Sequence, residues 1–180
     1  MMGKVNDLKN LFVKHGFRDF RWLDPREIVV GQWVRMKCLY GCVEYGHNAC
    51  CPPNAPSVEE CERFFRDYKK AAVFHFEKAV AKPEARHAWT LEVDRALLTL
   101  EREVFLRGFH KAFLLFIDSC HLCETCTGRR TTCKEAKQAR PTADAMAMDV
   151  FATVRKLGYP IEVLSDHKQT MNRYAFLFIE

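Results

Sequence analysis

Between Cys120 and Cys133 the chain reads Cys-His-Leu-Cys-Glu-Thr-Cys, then a basic loop, then a fourth cysteine. Gaps of two residues bring the sulfurs of Cys120, Cys123 and Cys126 within reach of one small inorganic core. A tetrahedral metal ion or an iron–sulfur cubane needs thiolates on a loop that turns back on itself, and this spacing supplies them. Four cysteines in fourteen positions argue against thiols that are merely buried in a core.

A second group lies upstream: Cys38, Cys42, Cys50 and Cys51, followed by Pro52-Pro53. Gly41 and Gly46 stand between these residues, where a backbone free to take positive φ can approach a bulky core. The prolines stiffen the exit and hold off a helix until Ser57. A ninth cysteine, Cys61, falls on the apolar stripe of a predicted helix and reads as a small buried hydrophobe. His47 and His121 stand inside the two loops. Each reads as a solvated or supporting residue, with a ligand role as the alternative.

The elements that position these residues are legible in outline. Val5, Leu8 and Phe12 recur at helical spacing up to Lys14, and Gly16 is a stop signal. Ile28 to Val30 and Trp33 to Met36 look extended and lead into Cys38. Ser57 and Glu60 form a capping box ahead of the stripe Val58, Cys61, Phe64, Phe65 and Tyr68. Ala71 to Phe76 is a predicted strand. Lys82 to His87 reads as a loop, and a longer helix runs from Thr90 to about Arg107, with Val93, Leu97, Leu100 and Val104 on one face.

The continuous apolar run from Ala112 to Ile117 predicts a strand buried on both faces, and the Cys120 loop begins at its C-terminal end. After Arg140-Pro141-Thr142 a helix is expected through Leu157, its apolar face made of Met146, Val150, Val154 and Leu157, with the methionines as core filler. Ile161 to Leu164 and Tyr174 to Ile179 read as two last strands around the polar segment Ser165 to Arg173. Strands separated by helices predict an α/β or α+β fold with one mixed sheet flanked by helices. Residues 1–180 read as one metal-binding domain, with residues 1–56 a cysteine-bearing extension packed on a core of residues 57–180.

The bulk numbers agree with a packed globular core: 180 residues, 48% hydrophobic and 12% aromatic. No apolar run is long enough to span a bilayer and the first residues lack a signal-peptide core, so the expected compartment is the cytoplasm. Thiols stay reduced there, and nine cysteines then argue for metal ligation rather than disulfides. The formal charge is +5. Two four-thiolate sites, each contributing about −2, would leave about +1, which gives nucleic-acid binding little support. No dinucleotide-binding, phosphate-loop or zinc-protease motif is present.

The two cysteine groups together resemble a known family. The first signature is Lys37-Cys38-Leu-Tyr-Gly-Cys42, then Tyr45-Gly46, then Cys51-Pro52-Pro53. The second is Cys120-His-Leu-Cys123-Glu-Thr-Cys126, Cys133, Arg140-Pro141, Ala145-Met146 and Asp149-Val150. Spanning about Asp24 to the end, this is similar to a cysteine-rich family of predicted metal-binding proteins, the domain of unknown function numbered 2284. The resemblance implies metal binding by Cys38, Cys42, Cys51, Cys120, Cys123, Cys126 and Cys133. Cys50 and Cys61 fall outside the signature.

Iron–sulfur chemistry can be arranged on these residues in two ways. In one, Cys120, Cys123, Cys126 and Cys133 hold a [4Fe-4S] core, and Cys38, Cys42 and Cys51 hold a second, with Cys50 or a non-protein ligand in fourth place. In the other, Cys133 crosses to the upstream group, as the fourth cysteine does in two-cluster ferredoxins. Zinc is the alternative metal. Structural zinc sites use separated pairs of cysteines, whereas this chain has a triple run and no second pair.

Three functions follow: an electron-transfer or redox accessory protein, an enzyme acting on a small substrate at an open cluster, and a zinc-stabilised interaction module. Seven cysteine ligands suggest chemistry, and eight suggest transport. Arg129 and Arg130, between Cys126 and Cys133, either offset thiolate charge as a solvated face or dock an acidic redox partner or anionic substrate.

Overall fold

Alternation along the strands divides the apolar side chains between two faces. In the computed structural model, which describes residues 2–82, 84–166 and 168–180, a four-stranded sheet separates two apolar clusters. Pro83 of the expected loop, His167 of the polar segment and the side chain of Val5 lie outside the described residues. In chain order the elements are α1 (Met2–Lys14), β1 (Phe20–Leu23), α2 (Gln32–Gly41), α3 (Val58–Arg66), β2 (Ala71–Lys78), α4 (Glu84–Leu106), β3 (Phe113–Leu115), α5 (Val150–Lys156) and β4 (Met171–Phe178).

Ala71, Val73, Leu115, Phe176 and Phe178 face Cys61, Phe65 and Tyr68 at and beyond α3, together with Val154 of α5. Their sequence neighbours Ala72, Phe74, Leu114, Ala175 and Leu177 face Leu8, Leu11 and Phe12 of α1 and Leu97, Leu100 and Val104 of α4. Helices thus cover both faces, which gives the α/β layering. The order is β1-β2-β4-β3 with every strand pair antiparallel. A parallel contact occurs as the isolated bridge of Phe116 to Thr142.

Four local expectations need correction. Trp33 to Met36 is helical, within α2. The apolar residues Trp33, Met36 and Tyr40 recur at helical spacing but are exposed, so burial offers no period to read. Second, α4 begins at Glu84, upstream of Thr90. Third, of the helix expected after Thr142 only α5 forms. Ala147 has φ 57°, outside the helical region, and Asp149 starts the helix by accepting the Ala152 N–H at 2.8 Å. Fourth, Ile161 to Leu164 forms no strand; β4 pairs with β2 and β3 instead. The capping box is formed: Ser57 Oγ accepts the Glu60 N–H, and Glu60 Oε2 accepts the Ser57 N–H.

Strand β3 is the edge that leads to Cys120, and its outward N–H groups are all used. Glu101 Oε1 accepts the Leu114 N–H at 2.8 Å, Pro141 O accepts that of Phe116 at 3.0 Å, and Asp94 Oδ1 accepts that of Ile117 at 3.2 Å. Two buried carboxyl groups of α4 thus close an edge that would otherwise invite pairing. Arg140 binds both Glu101 oxygens, at 3.0 and 2.9 Å, so the buried Glu101 charge is paired.

Candidate metal centre

Helix α2 places Cys38 one turn before Cys42, its C-cap, on the same side. A loop then carries Cys50 and Cys51. The second cysteine loop starts five residues after β3 ends. The two loops interlock through Asn48 and Asn54. Asn48, almost fully buried, accepts the Cys50 N–H at 3.0 Å and donates to the Cys120 carbonyl at 3.0 Å and to Glu44 Oε2 at 3.2 Å. Asn54 donates to the carbonyls of Asn48 and Gly128, at 3.1 and 3.0 Å. The Ala49 N–H points at Cys126 Sγ, 3.3 Å away. At Gly128 φ is 70°, and an added Cβ would stand 3.3 Å from the Gly46 carbonyl oxygen, so glycine suits both the turn and the close approach.

This interlock sorts adjacent residues to opposite sides. Cys50 donates a hydrogen bond to Cys120 and feels the charge of Cys133. That bond, then the backbone N–H groups of Leu122 and Arg140, lowers the Cys120 thiol to about 7. The same bond raises Cys50, which keeps its proton. Cys123 feels the charges of Cys133, Cys120 and Cys126, so the four downstream thiols form one neighbourhood that includes Cys50. Cys51 is instead pushed up to about 12, by burial first and then by Glu44, Cys42 and Cys38, with Cys120 of the other loop last. Burial, then Asp144, then Cys42 push up Cys38.

Cys38, Cys42 and Cys51 line one cavity of about 120 Å³ together with Glu44, Asp118, Asp144 and Arg173. The Arg173 Nε–H is buried there without a hydrogen-bond partner. All nine cysteines are free thiols. Among the described residues, no three histidine, cysteine, aspartate or glutamate side chains converge closely enough to hold a metal ion as they stand.

Cys61 is fully buried, its Sγ toward the Pro56 carbonyl and the Met146 sulfur. His47 is exposed. His121 packs its ring against His87, centroids 4.4 Å apart, and pairs with Ser119 Oγ at 3.3 Å. Arg129 and Arg130 are both exposed. Arg130 Nη2 donates to the Ala136 carbonyl at 2.6 Å, and its charge acts on Cys50 and Cys120.

The model of the family described as predicted metal-binding protein, DUF2284, matches residues 21–179. The chain belongs to that family. No curated protein and no solved structure matches it. In this DUF2284 chain the match takes in both cysteine loops and every strand of the sheet except the first residue of β1. No helix among the described residues is long and apolar enough to cross a membrane. Asn48, Asn54, Asp144 and Arg173 had no signal of their own in the sequence, because a lone polar residue carries no spacing. Asn48 alone had a contextual hint, since it sits inside a loop rich in cysteine, glycine and proline.

Proposed function

We propose that the metal centre is iron–sulfur and that the protein transfers electrons or serves as a redox accessory. One [4Fe-4S] core is assigned to Cys120, Cys123, Cys126 and Cys133, and a second to Cys38, Cys42 and Cys51, whose fourth position must be closed by a ligand other than cysteine for the core to carry electrons rather than act on a substrate. The observation that carries this reading is the sorting of the signature thiols into two neighbourhoods by interlocked loops. The donor set fits: soft thiolates favour iron–sulfur cores and zinc over hard cations, and the triple C-x2-C-x2-C run favours the former. Bound cores would supply one-electron storage, at a potential set by charge, solvent access and hydrogen bonds to sulfur. Residues of the chain tune those terms. The Cys50 thiol, then the Leu122 and Arg140 N–H groups, favour the thiolate of Cys120, and the Ala49 N–H points at Cys126. A reducing, cytoplasmic compartment suits nine unpaired thiols.

Electron paramagnetic resonance of anaerobically purified, dithionite-reduced protein tests this. The expected result is a signal from reduced clusters, and a redox-silent protein removes the electron-transfer role. The partner class is a redox protein with an acidic face, docking on Arg129 and Arg130. Charge reversal at both should slow electron exchange about tenfold at low salt and less at high salt. Equal rates for wild type and variant end the docking role. A second reading, an enzyme acting on a small substrate at the three-thiol core, draws on the cavity beside Cys38, Cys42 and Cys51 with its unpaired Arg173 N–H. Turnover lost on Arg173→Gln with unchanged iron would support it. No turnover by the iron-loaded wild type across small sulfur compounds would count against it.

A further inference from the structure

Three thiols leave one position of a four-coordinate core without a protein ligand. Cys50, next to Cys51 in sequence, is bonded to Cys120 on the other side of the interlock. Of the three carboxylates lining the three-thiol cavity, two are committed elsewhere. Asp118 Oδ2 lies at ion-pair distance from Arg86 Nε, 2.7 Å, though not hydrogen-bonded to it, and Asp118 Oδ1 accepts the Ser119 N–H at 3.0 Å. Glu44 takes the Asn48 amide at 3.2 Å. Asp144 is bonded to its own backbone N–H, and among the described residues it has no ion pair within 4 Å.

Asp144 is accessible to water although protein surrounds it, as expected of a side chain projecting into a concavity. It lines three adjoining cavities of about 120, 470 and 80 Å³, and shares Cys38 and Cys42 with the two larger. Its backbone is held from several sides. The Asp144 carbonyl accepts the Ala147 N–H at 2.9 Å, and the Ala143 carbonyl accepts that of Met148 at 3.0 Å. Arg35 of α2, the helix that carries Cys38, donates to the Ala145 carbonyl at 3.0 Å and to that of Pro56 at 2.9 Å. One helix thus sets both the Cys38 thiol and the turn from which Asp144 projects.

We propose that Asp144 is the fourth protein ligand of the three-cysteine group, contributing a carboxylate oxygen. This assignment rests on the iron–sulfur reading above. A hard oxygen is a weaker partner for such a core than a thiolate, so the Asp144 position is the one that exchanges while Cys38, Cys42 and Cys51 hold. The test uses anaerobically purified full-length protein as wild type, Asp144→Ala and Asp144→Cys, with Asp118→Ala for comparison. Iron is counted before and after a fixed exposure to ferricyanide and a chelator, and resonance spectra of the reduced proteins are recorded.

The expected result is that Asp144→Ala loses about one iron of eight within a time in which wild type and Asp118→Ala lose none. Asp144→Cys should retain all its iron and show a shifted spectrum, and it keeps the test open if the alanine variant does not fold. Iron retention and spectra identical to wild type in both Asp144 variants overturn the assignment alone. A wild type without iron overturns the assignment and the reading beneath it together.

Discussion

Cys126→Ala is expected to cost the protein about half its iron, and Cys42→Ala the other half, while Cys61→Ala costs none. The numbers are about four iron atoms lost of eight for each ligand variant. The warrant is the division of thiols described above. Cys123 feels Cys120, Cys126 and Cys133, whereas Cys51 feels Cys42 and Cys38 ahead of Cys120. Cys61 faces the apolar cluster of α3 and cannot reach either loop without unfolding that helix. Because metal binding and folding are coupled, each ligand variant should also unfold at lower urea. Iron analysis of the purified variants gives the answer. If Cys126→Ala empties both sites, the loops share ligands and the division into two centres is wrong; if Cys61→Ala loses iron, its place in the core is wrong.

A second large effect concerns Asp94, far in sequence from any cysteine but bonded to the Ile117 N–H three residues before Cys120. Burial, with smaller contributions from Asp118 and Cys120, pushes its carboxyl up to about 8 against the opposing bond from Ile117. The folded state therefore binds a proton that the unfolded chain, titrating near 3.8, has already released at neutral pH. A group raised in this sense contributes stability that is complete below the unfolded value and is lost as pH rises toward about 8. At 1.36 kcal/mol per unit, the loss between pH 5 and pH 7 is about 3 kcal/mol. Asp94→Asn keeps a carbonyl to accept from Ile117 and has no proton to lose. The stability of wild type relative to this variant should then fall by about that amount over those two units, read from urea midpoints at each pH. Parallel curves for the two proteins would show that Asp94 is ionised throughout.

Much of this architecture could be read from residue patterns, where the pattern had a period. The cysteine spacing announced ligand loops, the Ser57 and Glu60 pair announced α3, and the apolar run into Ile117 announced the strand that ends at the second loop. Reading failed where burial and periodicity part company. Trp33, Met36, Leu39 and Tyr40 of α2 face water and Val34 alone among its apolar residues before Cys38 is buried, so no buried period distinguished a helix from an extended segment there. The turn from Pro141 to Asp149 carries a helix-like set of methionines and alanines, yet a positive φ at Ala147 interrupts it. Sheet order was out of reach because β4 enters between β2 and β3, pairings made over long sequence separations. Asn48, which ties Cys50 to Cys120, and Asp144, which faces Cys38, carry meaning only once distant loops are brought together.

The shortest route to a decision is elemental analysis of the full chain purified without oxygen, with iron, acid-labile sulfide and zinc measured on one sample beside its visible absorption. Two thiol-held cores imply about eight iron and about eight sulfide per chain in a brown solution. Stoichiometric zinc in a colourless solution would contradict that.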